Sequence, residues 1–279
     1  MLSIFVLYPF LKGLWLSVLD TEVARPGEFI GLRNFMKLWN DQIFRRTAQN
    51  TILYTFAATL LKLGLGLIVA LLLNQLIKFK RITRASMLLP WIVPTVLSAL
   101  AWKWMFDPTF SVLNFLLFKL GIAHRSVNWL SGPVISLTSV IIVNTWRGMP
   151  FFAITLLAGL QTVNPTLYEA AAIDGASGWQ RFWNVTWPLL MPVTLVVVLF
   201  SVIMTFADFQ LVYILTGGGP ANSTHLFATY AYQIGIATGK ISEGAAASLV
   251  MFPILFFIVI FQLWYIRRGE AVAKKEKRK

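Results

Sequence analysis

Six stretches of the chain stay apolar for roughly 18 residues or more, long enough at about 1.5 Å per residue to cross about 30 Å of hydrocarbon. They lie near residues 1–19, 51–74, 85–106, 134–161, 187–215 and 244–266. A sequence so divided reads as an all-α, polytopic membrane protein of about six transmembrane helices. With 57% hydrophobic and 13% charged residues, the chain has more apolar surface than one soluble core hides. Prolines inside the runs (Pro9, Pro90, Pro94, Pro150, Pro192 and Pro253) predict kinked helices whose freed carbonyls are satisfied by neighbours.

The chain has no cysteine and only two histidines, His124 and His225. Disulfides and thiolate chemistry are excluded, and no zinc or haem ligand set is expected, so no metal site is predicted. The formal charge of +13 does not point to nucleic acid, because the basic residues lie between spans and in the terminal "KKEKRK", where they face an anionic cytoplasmic leaflet. Lys78, Lys80, Arg81 and Arg84 crowd the second connection, Arg181 lies in the fourth, and Arg267 and Arg268 open the tail. These segments are expected to be cytoplasmic, as are both termini, with loops near 20–49, 107–133 and 216–243 outside. In the first loop Arg25, Arg33, Lys37, Arg45 and Arg46 are nearly balanced by Asp20, Glu22, Glu28 and Asp41. The first run is barely long enough and carries Pro9 and Lys12, so residues 1–19 are expected to be a shortened first helix rather than a signal peptide.

One polar, turn-rich segment interrupts the apolar middle of the chain: "EAAAIDGASGWQRFWNVTWPLLMP", Glu169 to Pro192. Just upstream, Asn164 followed by Pro165 is a helix start, with the amide capping and proline at the first helical position. The helix is expected to run through Glu169 to Asp174 and stop at Gly175 in the left-handed conformation. Ser177 and Gln180 form an S-x-x-Q capping box for a second short helix reaching about Thr186, before Pro188 opens the fifth span. Such helices are unstable alone, so a partner or the bilayer surface must hold them. Leu167, Ala170, Ala171 and Asp174 share one face, and Asp174, opposing the macrodipole, calls for a cation such as Arg181. Physics alone leaves a coupling element and an amphipathic connector on the membrane equally open.

Glu169-Ala170-Ala171, Gly175, apolar Val185 and Trp187, and Pro188 together resemble the "EAA" coupling motif of the membrane subunits of ATP-binding-cassette importers. "GLRNF", "LLPWIVPTVLSALAWKWMFDP", "WRGMPFFAITLLAGLQTVNPTLYEAAAIDGAS" and "LVYILTGGGP" extend the resemblance to the carbohydrate-uptake branch, the permeases related to those for maltose and glycerol 3-phosphate. The resemblance implies a type I importer permease fold, a single transmembrane permease domain over 1–279 with its core at 51–266, a coupling segment at 162–188 and a basic cytoplasmic tail at 267–279. It implies a bacterial cytoplasmic membrane location, a second homologous permease in a heterodimer, two ATPase subunits and an extracytoplasmic solute-binding protein. Glu169, Ala170, Ala171, Asp174, Gly175 and Pro188 would then couple the chain to an ATPase. ATP and magnesium would be bound by those partners, since "GIATGKI" at 235–241 has neither the spacing nor the Ser or Thr of a phosphate loop, and no cofactor is expected on this chain.

The same resemblance assigns "TGGGP", Thr216, Gly217, Gly218, Gly219 and Pro220, to a flexible outer loop touching the solute-binding protein. Gly64, Gly66 and the small run Gly244 to Ser248 are expected to permit close helix packing, the tryptophans to anchor at interfaces, and both histidines to be solvated. Lys12, Lys62 and Lys103 are expected to snorkel. Arg147 and Asp208 cannot do so easily. With Asn144, Gln210 and Tyr213 they are the candidate solute path, either as a structural ion pair or as separate groups facing a wet cavity. An ion-coupled secondary transporter and an integral-membrane enzyme remain the alternatives. The first lacks visible inverted repeats and the second lacks a cluster of histidines or carboxylates in the spans.

Overall fold

Proline, glycine and capping side chains divide the apolar runs into helices of very unequal length. The computed structural model describes residues 2–75 and 79–276; Lys78 and the last three residues of the basic tail lie outside the described residues. In chain order the helices are α1 Leu2–Ser17, α2 Arg33–Asn40, α3 Gln42–Gln75, α4 Lys80–Met87, α5 Leu89–Ile92, α6 Thr95–Met105 and α7 Val112–Lys119. They continue with α8 Pro133–Gln161, α9 Pro165–Ile173, α10 Gly178–Arg181, α11 Trp187–Phe206, α12 Gln210–Leu215, α13 Phe227–Tyr232 and α14 Ile241–Glu276. Among the described residues there is no strand, only the isolated bridges Leu19 to Phe29 and Glu22 to Arg25.

Among the described residues four continuous helical segments are long and apolar enough to cross a membrane: 42–75, 133–161, 178–206 and 241–265. A fifth candidate is broken: Lys80–Ile92 and Thr95–Met105 meet at 88°. The bend falls at Pro94, whose ring disfavours helical backbone at the residue before it, and Val93 is extended accordingly. The first apolar helix is shorter, Ile4–Ser17. Six runs were expected; among the described residues four unbroken spans, one bent pair and the shorter first helix are seen.

Two compact units divide the chain. The first comprises residues 1–55, 95–143 and 204–258. Its core gathers Leu38, Phe44, Phe206, Phe227, Tyr230, Ala231, Ala246 and Ala247. Backbone meets backbone where Gly235 and Gly244 touch: a Cβ on Gly244 would stand 2.4 Å from the Gly235 Cα. The small run at 244–248 therefore serves close packing, as expected. Asn34 of α2, fully buried, donates to the Ser17 and Leu19 carbonyls and ties α2 to the end of α1.

The second unit comprises residues 56–94, 144–203 and 259–279. Its core is built by Ala70 and Leu73 of α3, Phe152, Leu156, Leu157 and Leu160 of α8, and Leu190 and Val197 of α11. Gly66 lets α3 approach α8, since a Cβ there would stand 2.5 Å from the Phe152 Cβ. Gly64 has no such neighbour; the packing role expected of it is not seen.

Candidate functional site

The turn-rich segment after α8 folds from purely local instructions. Asn164 Oδ1 accepts the Thr166 amide at 3.1 Å and Pro165 opens α9, so the helix begins where the sequence placed it. It ends in a Schellman motif: Gly175 has φ +76°, its amide donates to the Ala172 carbonyl, and the Ala176 amide reaches back to Ala171. Ser177 and Gln180 form the reciprocal capping box, 2.8 and 3.3 Å. The second arm does not stop near Thr186, however. It passes through a π-helical stretch, Phe182–Thr186, into α11 without a break, and Pro188 lies inside the continuous helix just after that stretch. The elbow is thus one free-standing short helix and the first turns of a long one.

Glu169, Ala170, Asp174, Gly175 and Pro188 are exposed, and Ala171 is half-buried. Inside the bend the Tyr168 and Thr186 hydroxyls lie 3.1 Å apart, and Trp179, Phe182, Trp183 and Trp187 form a chain of ring contacts at 5.2–6.3 Å. The expected pairing of Asp174 with Arg181 does not occur. Asp174 faces solvent, which makes a bare carboxylate tolerable, while the Arg181 Nε is buried without a hydrogen-bond partner. Two apolar side chains project from the elbow: Ile173 is 88% exposed and Trp179 71%. The alanine spacing did not single them out, although an isoleucine in the last turn of a two-turn helix is the kind of residue that can.

The polar residues of the spans fall into two groups. In the second unit, Lys62 does not snorkel: it is 4% exposed and donates to Asn144 Oδ1 at 2.8 Å. Its stem crosses the bare backbone of Gly148, where a Cβ would stand 2.5 Å from the Lys62 Cδ. Lys62 was missed because one cation in an apolar run suggests an end-seeking side chain, and only the α3–α8 contact shows that Asn144 holds it. Arg147, one turn from Asn144, is half-buried, with its Nε buried and unpartnered among the described residues. In the first unit, Asp208 is not inside a span helix. The fifth run breaks at 207–209, and Asp208 accepts from the Tyr54 hydroxyl at 2.6 Å and from the Leu211 amide at 3.4 Å. A short carboxylate that bonds the following backbone favours a break over helix interior. Gln210 is exposed, and Tyr213 stacks on Phe209 at 5.0 Å, with Tyr232 edge-on to both at 5.2 and 5.3 Å. Phe209 was legible as the residue four before Tyr213, whereas Tyr232 is brought in only by the fold. Lys103 reaches the Ile214 carbonyl at 3.2 Å.

The glycine loop is cross-linked by hydrogen bonds. The Thr216 and Thr224 hydroxyls meet at 2.7 Å, Thr224 Oγ1 donates to the Gly219 carbonyl at 2.7 Å, and the Thr224 amide donates to Gly218. Gly217 and Gly218 have φ of +61° and +92°, and the Gly219–Pro220 bond is cis. His225, expected to be solvated, is 3% exposed: its Nδ1 lies 3.2 Å from the Thr229 hydroxyl and its ring packs edge-on to Tyr230 at 5.9 Å. Burial pulls its pKa below the ordinary histidine value, so the ring is neutral near pH 7. Asn50 closes the loop from α3 by donating to the Ser223 and His225 carbonyls. His124, by contrast, is exposed as expected.

Residues 35–269 match the family of binding-protein-dependent transport system inner membrane components. The chain belongs to this family. It is a multi-pass membrane permease, and its relatives are of similar length. The trehalose/maltose transport system permease protein MalF of Thermococcus litoralis is 35% identical over 267 residues, covering 95% of this chain and 88% of that protein. The sulfoquinovosyl glycerol transport system permease protein SmoG of Agrobacterium fabrum is 33% identical over 269 residues, covering 96% and 87%. Among solved structures, a chain of a bacterial ABC transporter involved in the import of the acidic polysaccharide alginate superposes with a TM-score of 0.81 at 24% identity, covering 95% of this chain and 91% of that chain. That likeness establishes the fold.

Proposed function

We propose that this permease is one of two homologous membrane subunits of an ABC importer that carries a sugar or sugar derivative into the cell, paired as a heterodimer. Two ATPase subunits supply the energy, binding ATP and magnesium, while an extracytoplasmic solute-binding protein delivers the solute. In this assignment the elbow faces the cytoplasm, with both termini, and the glycine loop faces outward. Glu169, Ala170, Ala171, Asp174, Gly175 and Pro188 carry the coupling surface, joined by Ile173 and Trp179. Thr216 to Pro220 belong to the face that meets the binding protein, and Asn144, Arg147, Asp208, Gln210 and Tyr213 to the solute path.

The observation that carries this reading is the elbow. Apolar side chains as exposed as Ile173 and Trp179, held by caps rather than by a core, support a role as one half of a joint. A sugar as solute is supported by the names of the relatives and by the Phe209, Tyr213 and Tyr232 rings, whose faces suit a pyranose. Affinity purification of the tagged permease from native membranes is expected to recover a second permease and an ATPase, with vanadate-sensitive ATP hydrolysis that rises when sugar-loaded binding protein is added. A lone chain whose uptake runs on an ion gradient without ATP would contradict it.

A further inference from the structure

The first two turns of α3 carry Gln42, Arg45, Arg46 and Gln49 at i, i+3, i+4 and i+7, so these side chains share one helix face. All of them are exposed, and together they line an open pocket of about 390 Å³. Neither guanidinium is neutralised. Asp41, one turn before Arg45, is engaged elsewhere: its Oδ1 accepts the Ile43 amide at 2.8 Å and its Oδ2 accepts the Tyr230 hydroxyl. The acids of the first unit all have described side chains, and the ion pairs they form join Glu243 to Lys37 and Lys240. Among the described residues Arg45 and Arg46 therefore make no ion pair and no side-chain hydrogen bond.

This pocket lies at the depth of lipid headgroups. The apolar run of α3 begins near residue 51, and at about 1.5 Å per residue Gln49 stands about 3 Å and Arg46 about 7.5 Å outside it. A headgroup layer is about 5–7.5 Å thick on each side of the hydrocarbon. On the following turns Ile52, Leu53 and Phe56 are exposed, so the polar face passes directly into an apolar one. The helix that leads into α3 carries the same signature. Leu32, Met36 and Trp39, spaced i, i+4 and i+7 along α2 and its N-cap, are each more than half exposed, while Asn34 and Leu38 are buried. An exposed apolar helix face ending in tryptophan marks a segment lying in the membrane interface. Trp15 and Phe29, also exposed, stack at 6.3 Å and extend that apolar surface.

We propose that Gln42, Arg45, Arg46 and Gln49 form a binding site for the headgroup of an anionic phospholipid, with its phosphodiester held by the two guanidiniums and its acyl chains lying along Ile52, Leu53 and Phe56. This requires only that α3 crosses the membrane, whichever leaflet its first turns meet. A guanidinium presents a planar fork of N–H donors that fits two phosphate oxygens. The glutamine amides on either side supply donors and acceptors for the hydroxyls of a headgroup. The lipid then provides the counter-charge that the first unit withholds from both arginines. An acidic protein surface is the poorer occupant, because the pocket sits within the headgroup layer and is followed by lipid-exposed apolar turns rather than by solvent.

The test uses the intact permease complex, purified in mild detergent, stripped of loosely held lipid and titrated with phosphatidylglycerol or phosphatidylcholine of matched acyl chains. Native mass spectrometry counts the lipids retained. The wild type is expected to fill its tightest site with phosphatidylglycerol at a concentration about tenfold below that needed for phosphatidylcholine. Arg45→Gln combined with Arg46→Gln should abolish that preference, and Arg45→Lys combined with Arg46→Lys should keep part of it, since lysine holds a phosphate as a point charge. Lys119→Gln combined with Arg125→Gln removes the same charge from exposed positions elsewhere in the unit and should leave the preference unchanged. Because Arg45 and Arg46 are exposed and unpaired, their replacement leaves the packing intact. Equal retention of the two lipids by the wild type, or a preference that survives the Arg→Gln pair, would overturn the site. An equal loss in the Lys119 and Arg125 pair would also overturn it, as diffuse attraction to net charge. If the Arg→Gln pair kept its phosphatidylglycerol but lost stimulation of ATP hydrolysis by the binding protein, the pocket would belong to a protein contact and the lipid site would be rejected.

Discussion

The elbow at 162–188 and the loop at 216–225 are both rich in glycine and turn residues, and both leave the membrane-spanning helices, yet they are held by opposite means. The elbow is organised by partners no more than a few residues away: Asn164 on Thr166, Gly175 on Ala172, Ser177 on Gln180. The loop is organised from a distance. Asn50 reaches it across more than 170 residues, and Gly218 lies against the ring of the buried His225, where a Cβ would stand 2.0 Å from Cε1. A locally capped segment can stay exposed and present its side chains to another molecule. A segment locked into the body of the protein presents a fixed shape instead.

The largest effect that would sharpen this contrast comes from Gly218→Ala. The left-handed backbone costs an L residue about 1–2 kcal/mol, and overpacking against a buried ring adds about 1–3 kcal/mol. A loss of about 2–5 kcal/mol is therefore expected, read as a clear drop in the thermal unfolding midpoint of the purified complex. The double variant Gly218→Ala, His225→Ala should recover the steric part. Unchanged stability in Gly218→Ala would mean that the loop is not locked.

A smaller effect is expected from Gly175→Ala. Nothing lies within 4 Å of a Cβ placed there, so only the backbone term of about 1–2 kcal/mol applies, and it should stay local. Amide exchange at Ala176 should quicken while the midpoint of the complex barely moves. If Gly175→Ala lowered that midpoint as far as Gly218→Ala, the elbow would be part of the packed body and the comparison would fail.

The same contrast explains what could be read in advance. The start, stop and second start of the elbow were legible because capping is a dialogue between residues three or four apart. The apolar runs likewise announced the long helices, since hydrophobic length is additive along the chain. What escaped was non-local. Lys62 looked like a snorkelling cation until α8 supplied Asn144, and His225 looked solvated until Tyr230 and Gly218 closed on it. Asp208 looked like a residue of a continuous span helix because the apolar run 187–215 extends past it, and only the fold shows the helix breaking at 207–209, where its carboxylate accepts the Leu211 amide.

The central claim is that the two regions work on opposite sides of the membrane, the elbow toward ATPases and the loop toward a solute-binding protein. The natural absence of cysteine allows a direct measurement. Gln180 and Asn222 are both exposed, so a cysteine introduced at either is sterically open to a membrane-impermeant maleimide. In intact cells the account predicts labelling of Asn222→Cys alone, with Gln180→Cys reacting only after the membrane is breached. Labelling of Gln180→Cys in intact cells, with Asn222→Cys protected, would contradict the orientation and the coupling role together.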